Sequence, residues 1–337
     1  MSTVLVVGGA GYVGSHCCKA FAEAGWQVVA YDNLFRGWRD LARWGPLIEA
    51  DVLDRPALDL AFAQHRPDLV AHFAALAYVG ESVERPDDYY RVNGAGTLNL
   101  LEAMRAGGCR NIIFSSSCAT YGLPLRIPMD EDHPQQPINP YGWSKLIAER
   151  MIADFGEAYG MASVALRYFN AAGADPACET GERHQPETHI IPLAIESALE
   201  GTPFTVNGDD YDTQDGTAVR DYVHVSDLAQ AHLLAADLLV KQRGRHAFNL
   251  ATGAGFSVIE ILDAVERVCG RRIDRRIGPR RPGDPPALVA TGALAQRTLG
   301  WRPQLSSMDT IVSTALAWRQ AEVARAEVAR AAGAPKE

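Results

Sequence analysis

Lysine is the scarcest charged residue of this 337-residue chain: Lys19, Lys145, Lys241 and Lys336 are the whole set, and the other 28 of the 32 basic residues are arginine. Against them stand 41 acidic residues, for a formal charge of −9. That balance argues against nucleic acid or an anionic membrane surface as the main partner, while leaving room for a local basic pocket around an anionic small molecule. Cysteine is sparse too. Cys17, Cys18, Cys109, Cys118, Cys178 and Cys269 form no CxxC pair and have no metal-ligand spacing with the histidines. Neither a disulfide framework nor a metal site is expected, and adjacent Cys17 and Cys18 read as small apolar residues within a helix. No apolar run reaches membrane-spanning length. "MSTVLVVGGA" runs straight into a strand, with no charged leader or cleavable segment. Together these absences predict a cytoplasmic protein.

What is present is a strand–helix alternation. A hydrophobic content of 47% with 22% charged residues is ordinary for a folded chain, and the length calls for one large or two smaller domains. Residues 3–9, 27–33, 68–76, 109–117 and 162–170 read as strands buried on both faces. Helical spacing or suitable length falls at 12–24, 55–64, 86–107 and 141–158. The pattern predicts an α/β fold, a Rossmann-type doubly wound parallel sheet binding its ligand at the carboxyl ends of the strands. After about residue 175 the texture changes to a long polar loop, helices near 189–200, 226–240 and 257–268, and an extended Arg/Pro stretch at 271–291. The division expected is a nucleotide-binding domain over 1–175, with return segments near 220–250, and a smaller C-terminal α/β substrate domain over 176–337. From about 316 an Ala/Arg/Glu tail reads as a surface helix that frays into "AAGAPKE".

Gly8, Gly11 and Gly14 of "VLVVGGAGYVGSH" fall at the first strand-to-helix turn. Glycine there lets the backbone approach a pyrophosphate, and the following helix N-terminus supplies N–H donors. The next strand ends in "YDN", where Asp32 can accept both hydroxyls of an adenosine ribose and repel a 2′-phosphate. NAD is therefore favoured over NADP, although Arg36 lies close by. Asp51 and Val52 of "EADVLD" follow the third strand, at the adenine edge.

Tyr141 and Lys145 in "NPYGWSKLIAER" stand four apart at the mouth of a helix that Asn139 caps and Pro140 begins, so both can face one space. Ser117 closes a strand 24 residues earlier in "FSSSCATYG". A free phenol titrates near ~10; a lysine ammonium about 5 Å away contributes roughly 3 kcal/mol at an effective dielectric of ~20, about two pK units in favour of phenolate.

With these residues in view the chain resembles the extended short-chain dehydrogenase/reductase family, and within it the UDP-hexose 4-epimerases. "GGAGYVGSH", "YDNL", "FAALAYVGES", "FSSSCATYG", "NPYGWSK", "RYFNAAGADP", "DGTAVRDYVHVSDLA" and "RRPGDP" carry the resemblance in order along most of the chain. It implies Ser117, Tyr141 and Lys145 as the catalytic set, with Tyr141 the base and Ser117 bonding the sugar hydroxyl or relaying its proton. It also implies NAD contacts from Gly8, Gly11, Tyr12, Val13, Gly14, Asp32, Asn33, Asp51, Val52, Phe73, Ala74, Ala75, Asn93, Tyr141, Lys145 and Tyr168. Substrate contacts fall to Ser117, Tyr141, Asn170, His189, Arg220, Arg281 and Asp284, the arginines on the diphosphate and Asp284 on the uridine ribose. The activity implied interconverts UDP-glucose and UDP-galactose through a 4-keto sugar that turns over before reduction. Related dehydratases and decarboxylases carry acidic residues where this chain has Cys118 and Ala119, so elimination lacks its acid and base here.

Three departures accompany the resemblance. Ala77 stands where a lysine beside the cofactor pyrophosphate is common, His189 where some members have asparagine, and Leu288 where the residue beside the sugar varies in bulk. Leu288 leaves a UDP-N-acetylhexosamine substrate open. Chemistry at C4 is indifferent to what C5 carries, so UDP-pentose or UDP-glucuronate stays open too. A net-oxidising dehydrogenase is a further alternative, while a non-catalytic NAD(H)-sensing module would need no Ser117, Tyr141 or Lys145. Helices 86–107 and 141–158 can pair two copies as a homodimer, or cover the sheet instead.

Overall fold

A computed structural model describes residues 2–281 and 284–331. The strands are β1 Thr3–Val7, β2 Gln27–Asp32, β3 Leu47–Glu49, β4 Leu69–His72, β5 Asn111–Ser117, β6 Ala162–Tyr168, β7 Asn170–Ala172, β8 Phe204–Asn207, β9 Val219–His224, β10 Arg245–Leu250, β11 Gly255–Ser257, β12 Arg275–Gly278 and β13 Ala287–Leu288. The helices are α1 Tyr12–Glu23, α2 Arg55–His65, α3 Val79–Glu84, α4 Pro86–Tyr89, α5 Gly96–Gly107, α6 Pro140–Tyr159, α7 Ile190–Glu200, α8 Val225–Lys241, α9 Val258–Cys269, α10 Ala293–Leu299 and α11 Met308–Ala331.

Seven strands pair parallel in the order β10-β6-β5-β4-β1-β2-β3. Val4, Leu5, Val6 and Val7 have no exposed surface, because helices cover both faces of the sheet. On one face Val4 and Val6 pack with Cys17, Cys18 and Phe21 of α1 and Leu228, Ala231 and Ala235 of α8. On the other, Leu5 and Val7 meet Leu58 and Phe62 of α2, Leu100 and Met104 of α5, and Ile152 of α6. This is the doubly wound sheet expected, and the two cysteines are core residues. The chain reverses direction across the sheet between β1 and β4, so the ligand crevice opens where these two strands end.

The elements differ from the sequence expectation in four places. The run through Leu76 ends as a strand at His72, because the N–H groups of Phe73 and Ala74 both turn to the Val7 carbonyl, at 2.7 and 2.9 Å. The strand expected over 162–170 breaks at Phe169; Asn170–Ala172 then pairs with β9 in a second sheet that also holds β11 and β13. The helix expected over 86–107 is interrupted by a π-helical turn at Tyr90–Ala95. The C-terminal helix starts at Met308, and its first turns are core: Met308, Ile311 and Val312 pack with α7 and α9, and Trp318 is buried against Leu41 and Ala174. Most of "AAGAPKE" lies outside the described residues. Of the return segments, α8 and β10 join the large sheet, whereas β9 belongs to the small one.

Candidate active site

The carboxyl ends of β1 and β2 carry the glycine turn and its acid. Gly8 has φ +88°, and a Cβ there would lie 2.5 Å from the Ala74 nitrogen; a Cβ on Gly14 would lie 2.0 Å from the Gly8 carbonyl oxygen. Only glycine lets α1 press onto the turn while leaving the backbone bare for a phosphate. Gly11 is the N-cap of α1 and brings no side chain. The Tyr12 hydroxyl donates to the Gly173 carbonyl at 2.5 Å, and Val13 packs against the core.

Asp32 is buried and accepts the N–H groups of Ala10 at 3.0 Å and Leu34 at 2.8 Å. Burial pushes its pKa up and these two donors oppose the shift; its carboxylate lone pairs exceed the bonds made. Arg36 is committed elsewhere: it pairs with Glu81 at 2.8 Å and lies 3.9 Å over the Tyr78 ring. Its charge is thus answered, and the acid at Asp32 is the dominant group, which fits NAD. Asn33 donates to Asp51 at 2.7 Å, and Asp51 also accepts the Leu53 N–H at 2.8 Å, so Asp51 fixes the loop in which Val52 is buried. Phe73, Ala74 and Ala75 follow β4, the first two directly beside Gly8. Asn93, expected on the cofactor, is 2% exposed, and its amide is fully engaged. It accepts the Leu76 N–H at 2.8 Å and donates to the Leu76 carbonyl at 3.0 Å and the Ser144 hydroxyl at 2.9 Å. It braces the loop after β4 against α6.

Ser117 ends β5 and accepts the Ala119 N–H at 3.1 Å. Asn139 caps α6 through the Gly142 N–H at 2.8 Å, and Pro140 opens the helix. Gly142 was not singled out from the sequence, yet a Cβ there would lie 2.3 Å from the Ala119 carbonyl oxygen. Its lack of a side chain seats the mouth of α6 on the turn that follows Ser117. Tyr141 meets Tyr89 edge-on at 6.3 Å. Lys145 is 3% exposed, donates to the Ser115 carbonyl at 2.8 Å and lies 4.9 Å over the Phe114 ring. Tyr168, at the end of β6, shares a hydrogen bond with the Ser115 hydroxyl.

Burial adds to the electrostatics of the Tyr–Lys pair. Burial pushes the Tyr141 phenol up to about 12, with the Ser117 hydroxyl partly opposing it. Burial also draws Lys145 down to about 7, partly offset by Glu149. Desolvation is thus the largest influence on each group. One turn beyond Lys145, the Glu149 carboxylate accepts the Arg167 guanidinium at 2.6 and 2.9 Å. This buried pair ties α6 to β6, and sequence reasoning missed it because its partners lie 18 residues apart.

A cavity of about 560 Å³ opens beyond β7, and Asn170, His189, Arg220, Tyr222, Arg281 and Asp284 are among its lining residues. Five sequence-predicted substrate residues thus meet in one place. Asn170 donates to the Asp221 carbonyl at 2.8 Å, while Arg220 pairs with Asp284 across the pocket wall. His189 touches the cavity, but its Nδ1 is turned to the Glu182 carboxylate; the polar contact made by this face of the ring is with the loop. A larger cavity of about 700 Å³ lies at the opposite, amino-terminal end of the sheet, lined by Arg66, Cys109 and Arg243 among others. It contains none of the predicted site residues.

A family model described as the NAD dependent epimerase/dehydratase family matches residues 4–251. A UDP-glucose 4-epimerase of Rhizobium meliloti (strain 1021) is 51% identical over 320 residues, spanning 94% of this chain and 96% of its own. Among solved structures, UDP-glucose 4-epimerase from Brucella ovis in complex with NAD is similar at a TM-score of 0.92 and 52% identity, covering 94% of this chain and 98% of that one. The enzyme from Bifidobacterium longum in complex with NAD+ and UDP is similar at a TM-score of 0.91 and 37% identity, over 96% and 99% of the two chains.

Proposed function

This chain belongs to the NAD dependent epimerase/dehydratase family, and from that premise we propose the reaction it performs, the interconversion of UDP-glucose and UDP-galactose by inversion at C4. It is an isomerase, and its cofactor is NAD. The observation that carries this reading is the convergence of Ser117 and the mouth of α6 at the end of β5. One side of that point leads to the bare glycine turn, and the other to the pocket lined by Asn170, Arg220, Arg281 and Asp284.

In the reaction we assign Tyr141 as the base for the C4 hydroxyl, with Ser117 bonding that hydroxyl and relaying its proton. Burial disfavours a lone phenolate and a lone ammonium alike, so the two charges favour each other once both are present. NAD⁺, when bound, supplies the acceptor for the C4 hydrogen and a positive ring that further favours phenolate. Lys145 is held by the Ser115 carbonyl, which fixes its charge near the strand end. Tyr141 then returns the proton when the turned 4-keto sugar is reduced on its other face. Arg220 and Arg281 suit the diphosphate, with guanidinium forks that pair its oxygens two at a time, and Asn170 and Asp284 complete the grip on the nucleotide. A diphosphate held this way leaves the hexose free to turn about its phosphate linkage.

We assign residues 1–175, with α8 and β10, to the NAD-binding domain and most of the remainder to the nucleotide-sugar domain. The working unit is a homodimer paired through α5 and α6, which expose Leu98, Trp143 and Ile147. No helix among the described residues is long and apolar enough to cross a membrane; six free cysteines favour a reducing, cytoplasmic location.

The test is to incubate the purified protein with UDP-galactose, without added cofactor, and follow UDP-glucose by NMR. Conversion is expected, with NAD⁺ carried through purification. Activity that appears only on adding NAD⁺ would point to Ala77 as the cause of weak retention. No conversion with NAD⁺ present overturns the reading.

A further inference from the structure

The loop between β7 and α7 holds four chemistry-bearing side chains that the proposed reaction leaves unused. One donor atom each from Glu182, His184, Glu187 and His189 lies within 4.8 Å of the other three. We propose that these four residues form a binding site for one divalent cation of zinc-like character, which fastens the loop between the glycine turn and the start of α7. The spacing contains no cysteine, so sequence reading, which looked for cysteine-based sites, expected no metal.

The donor set points to the class of ion. Two imidazoles and two carboxylates suit zinc and its neighbours in the first transition row; magnesium and calcium take oxygen ligands. The geometry is that of groups converging on a common point. His184 Nδ1 lies 2.9 Å from a Glu182 oxygen and 3.8 Å from a Glu187 oxygen, yet it is a buried nitrogen with no aligned hydrogen-bond partner. Ligands of one tetrahedral ion sit about 3.3 Å apart at metal–ligand distances of roughly 2.0–2.1 Å. The His184–Glu182 contact is therefore close without being an aligned hydrogen bond, whereas His189 Nδ1 is hydrogen-bonded to the same Glu182 oxygen, a contact that an ion would replace. Pairs at the 4.8 Å limit would close by about 1.5 Å, shared between two side chains, and the His189–Glu182 pair would open to reach that spacing.

The site is also built in advance. The Trp318 indole donates to the Glu182 carbonyl, and the Trp38 indole to the Arg183 carbonyl, each at 2.8 Å. Arg183 is paired with Asp40 at 2.9 Å and Glu322 at 2.6 Å. The His184 ring is set edge-on against Tyr12 and Tyr78, at 6.1 and 5.9 Å. Glu187 accepts the N–H groups of Thr188 and His189 at 2.7 and 2.8 Å, bonds of the kind that orient a metal-binding carboxylate. Glu182 is 6% exposed and His189 48%, so the cluster is open to solvent on the His189 side. Because His189 is the N-cap of α7, an ion here would link the pocket helix to Tyr12 of the glycine turn.

The experiment uses the full, tag-free chain, stripped with chelator, equilibrated with Zn²⁺ and freed of excess by gel filtration, with metal counted by mass spectrometry. The parent is expected to retain one zinc per chain, and His184→Ala and His189→Ala to retain little. Cobalt(II) loading should give the intense visible bands of a tetrahedral site in the parent and lose them in His189→Ala, whose half-exposed ring is removed without opening the core. Failure of the parent to retain zinc, or equal retention by parent and both variants, overturns the proposal. The readout is metal content and not turnover, so the result stands apart from the assigned reaction.

Discussion

Burial holds Tyr141 and Lys145 each away from the charge that the proposed proton transfer requires, and that sets what their substitution does. Tyr141→Phe removes the phenolic proton carrier but keeps the ring that meets Tyr89 edge-on. Its epimerase turnover is expected to fall by about 10²–10⁴-fold, the usual contribution of a positioned acid–base group, with thermal stability close to the parent. An equal loss of stability and activity would assign Tyr141 a packing role instead. Lys145 gives a prediction of the opposite kind. Its pKa drops from 10.5 in the unfolded chain to about 7 in the fold. Between those values the unfolded chain binds a proton that the folded chain lacks, so parent stability rises with pH across that window. Lys145→Met removes this slope. The variant should be the more stable protein at neutral pH, with its advantage shrinking toward about pH 10, as read by denaturant titration. A stability difference that does not change with pH would mean the lysine is not desolvated. Catalysis is expected to be lost in the same variant, so this residue trades stability for function.

At the scale of elements, the mouth of α6 is the joint on which the site depends. A methyl group at Gly142 would meet the Ala119 carbonyl at 2.3 Å, and backbone cannot yield as a flexible side chain can. Gly142→Ala should push the first turn of α6 outward and carry Tyr141 with it. A displacement near 1 Å is expected to lower kcat by about 10²-fold, with the Glu149–Arg167 pair still anchoring the later turns. Steady-state kinetics beside a melting curve would separate this from unfolding; a fully active variant would mean the helix has room to move.

The same joint marks how far sequence reading reaches. The seven-stranded sheet was legible because strands buried on both faces read as unbroken apolar runs. Gly8, Gly14, Asp32, Ser117 and Lys145 were legible because turn, strand end and helix start are local features. Gly142 and the Glu149–Arg167 pair were not, nor was the bracing role of Asn93, which the resemblance places on the cofactor. Their meaning lies in contacts between segments 18 to 51 residues apart, which no local period encodes. Phe169 shows the same limit: an aromatic run read as one strand is divided because Asn170 and the residues after it find β9. The buried start of α11 escaped notice for a related reason, since its apolar face packs on α7 and α9, which lie far away in the chain.

For the whole molecule, the two faces of α6 argue for a second copy. One face is spent inward: Lys145, Ala148, Glu149 and Ile152 are buried against the sheet. On the other, Trp143 is 44% and Ile147 39% exposed, four residues apart and hence on one stripe. Leu98 of α5 and Tyr90 of the π-helical turn add exposed apolar surface beside them, at 38% and 41%. The sequence left open whether these helices cover the sheet or pair two chains, and in this fold separate faces are available for both. Because α6 carries Tyr141 and Lys145 on its inner side, a partner packed on the outer side would brace the helix that holds the proposed base. The parent should therefore run as a dimer by light scattering at micromolar concentration. Trp143→Glu combined with Ile147→Glu should run as a monomer, since charges at the centre of such a patch would stay unpaired on association. If bracing is what the dimer provides, that monomer should also show a lower kcat, with the NAD-binding turn on the far side of the site keeping its affinity. A parent that scatters as a monomer would remove the dimer and the bracing argument together, while a monomeric variant with unchanged kcat would keep the dimer and show that α6 is rigid without it.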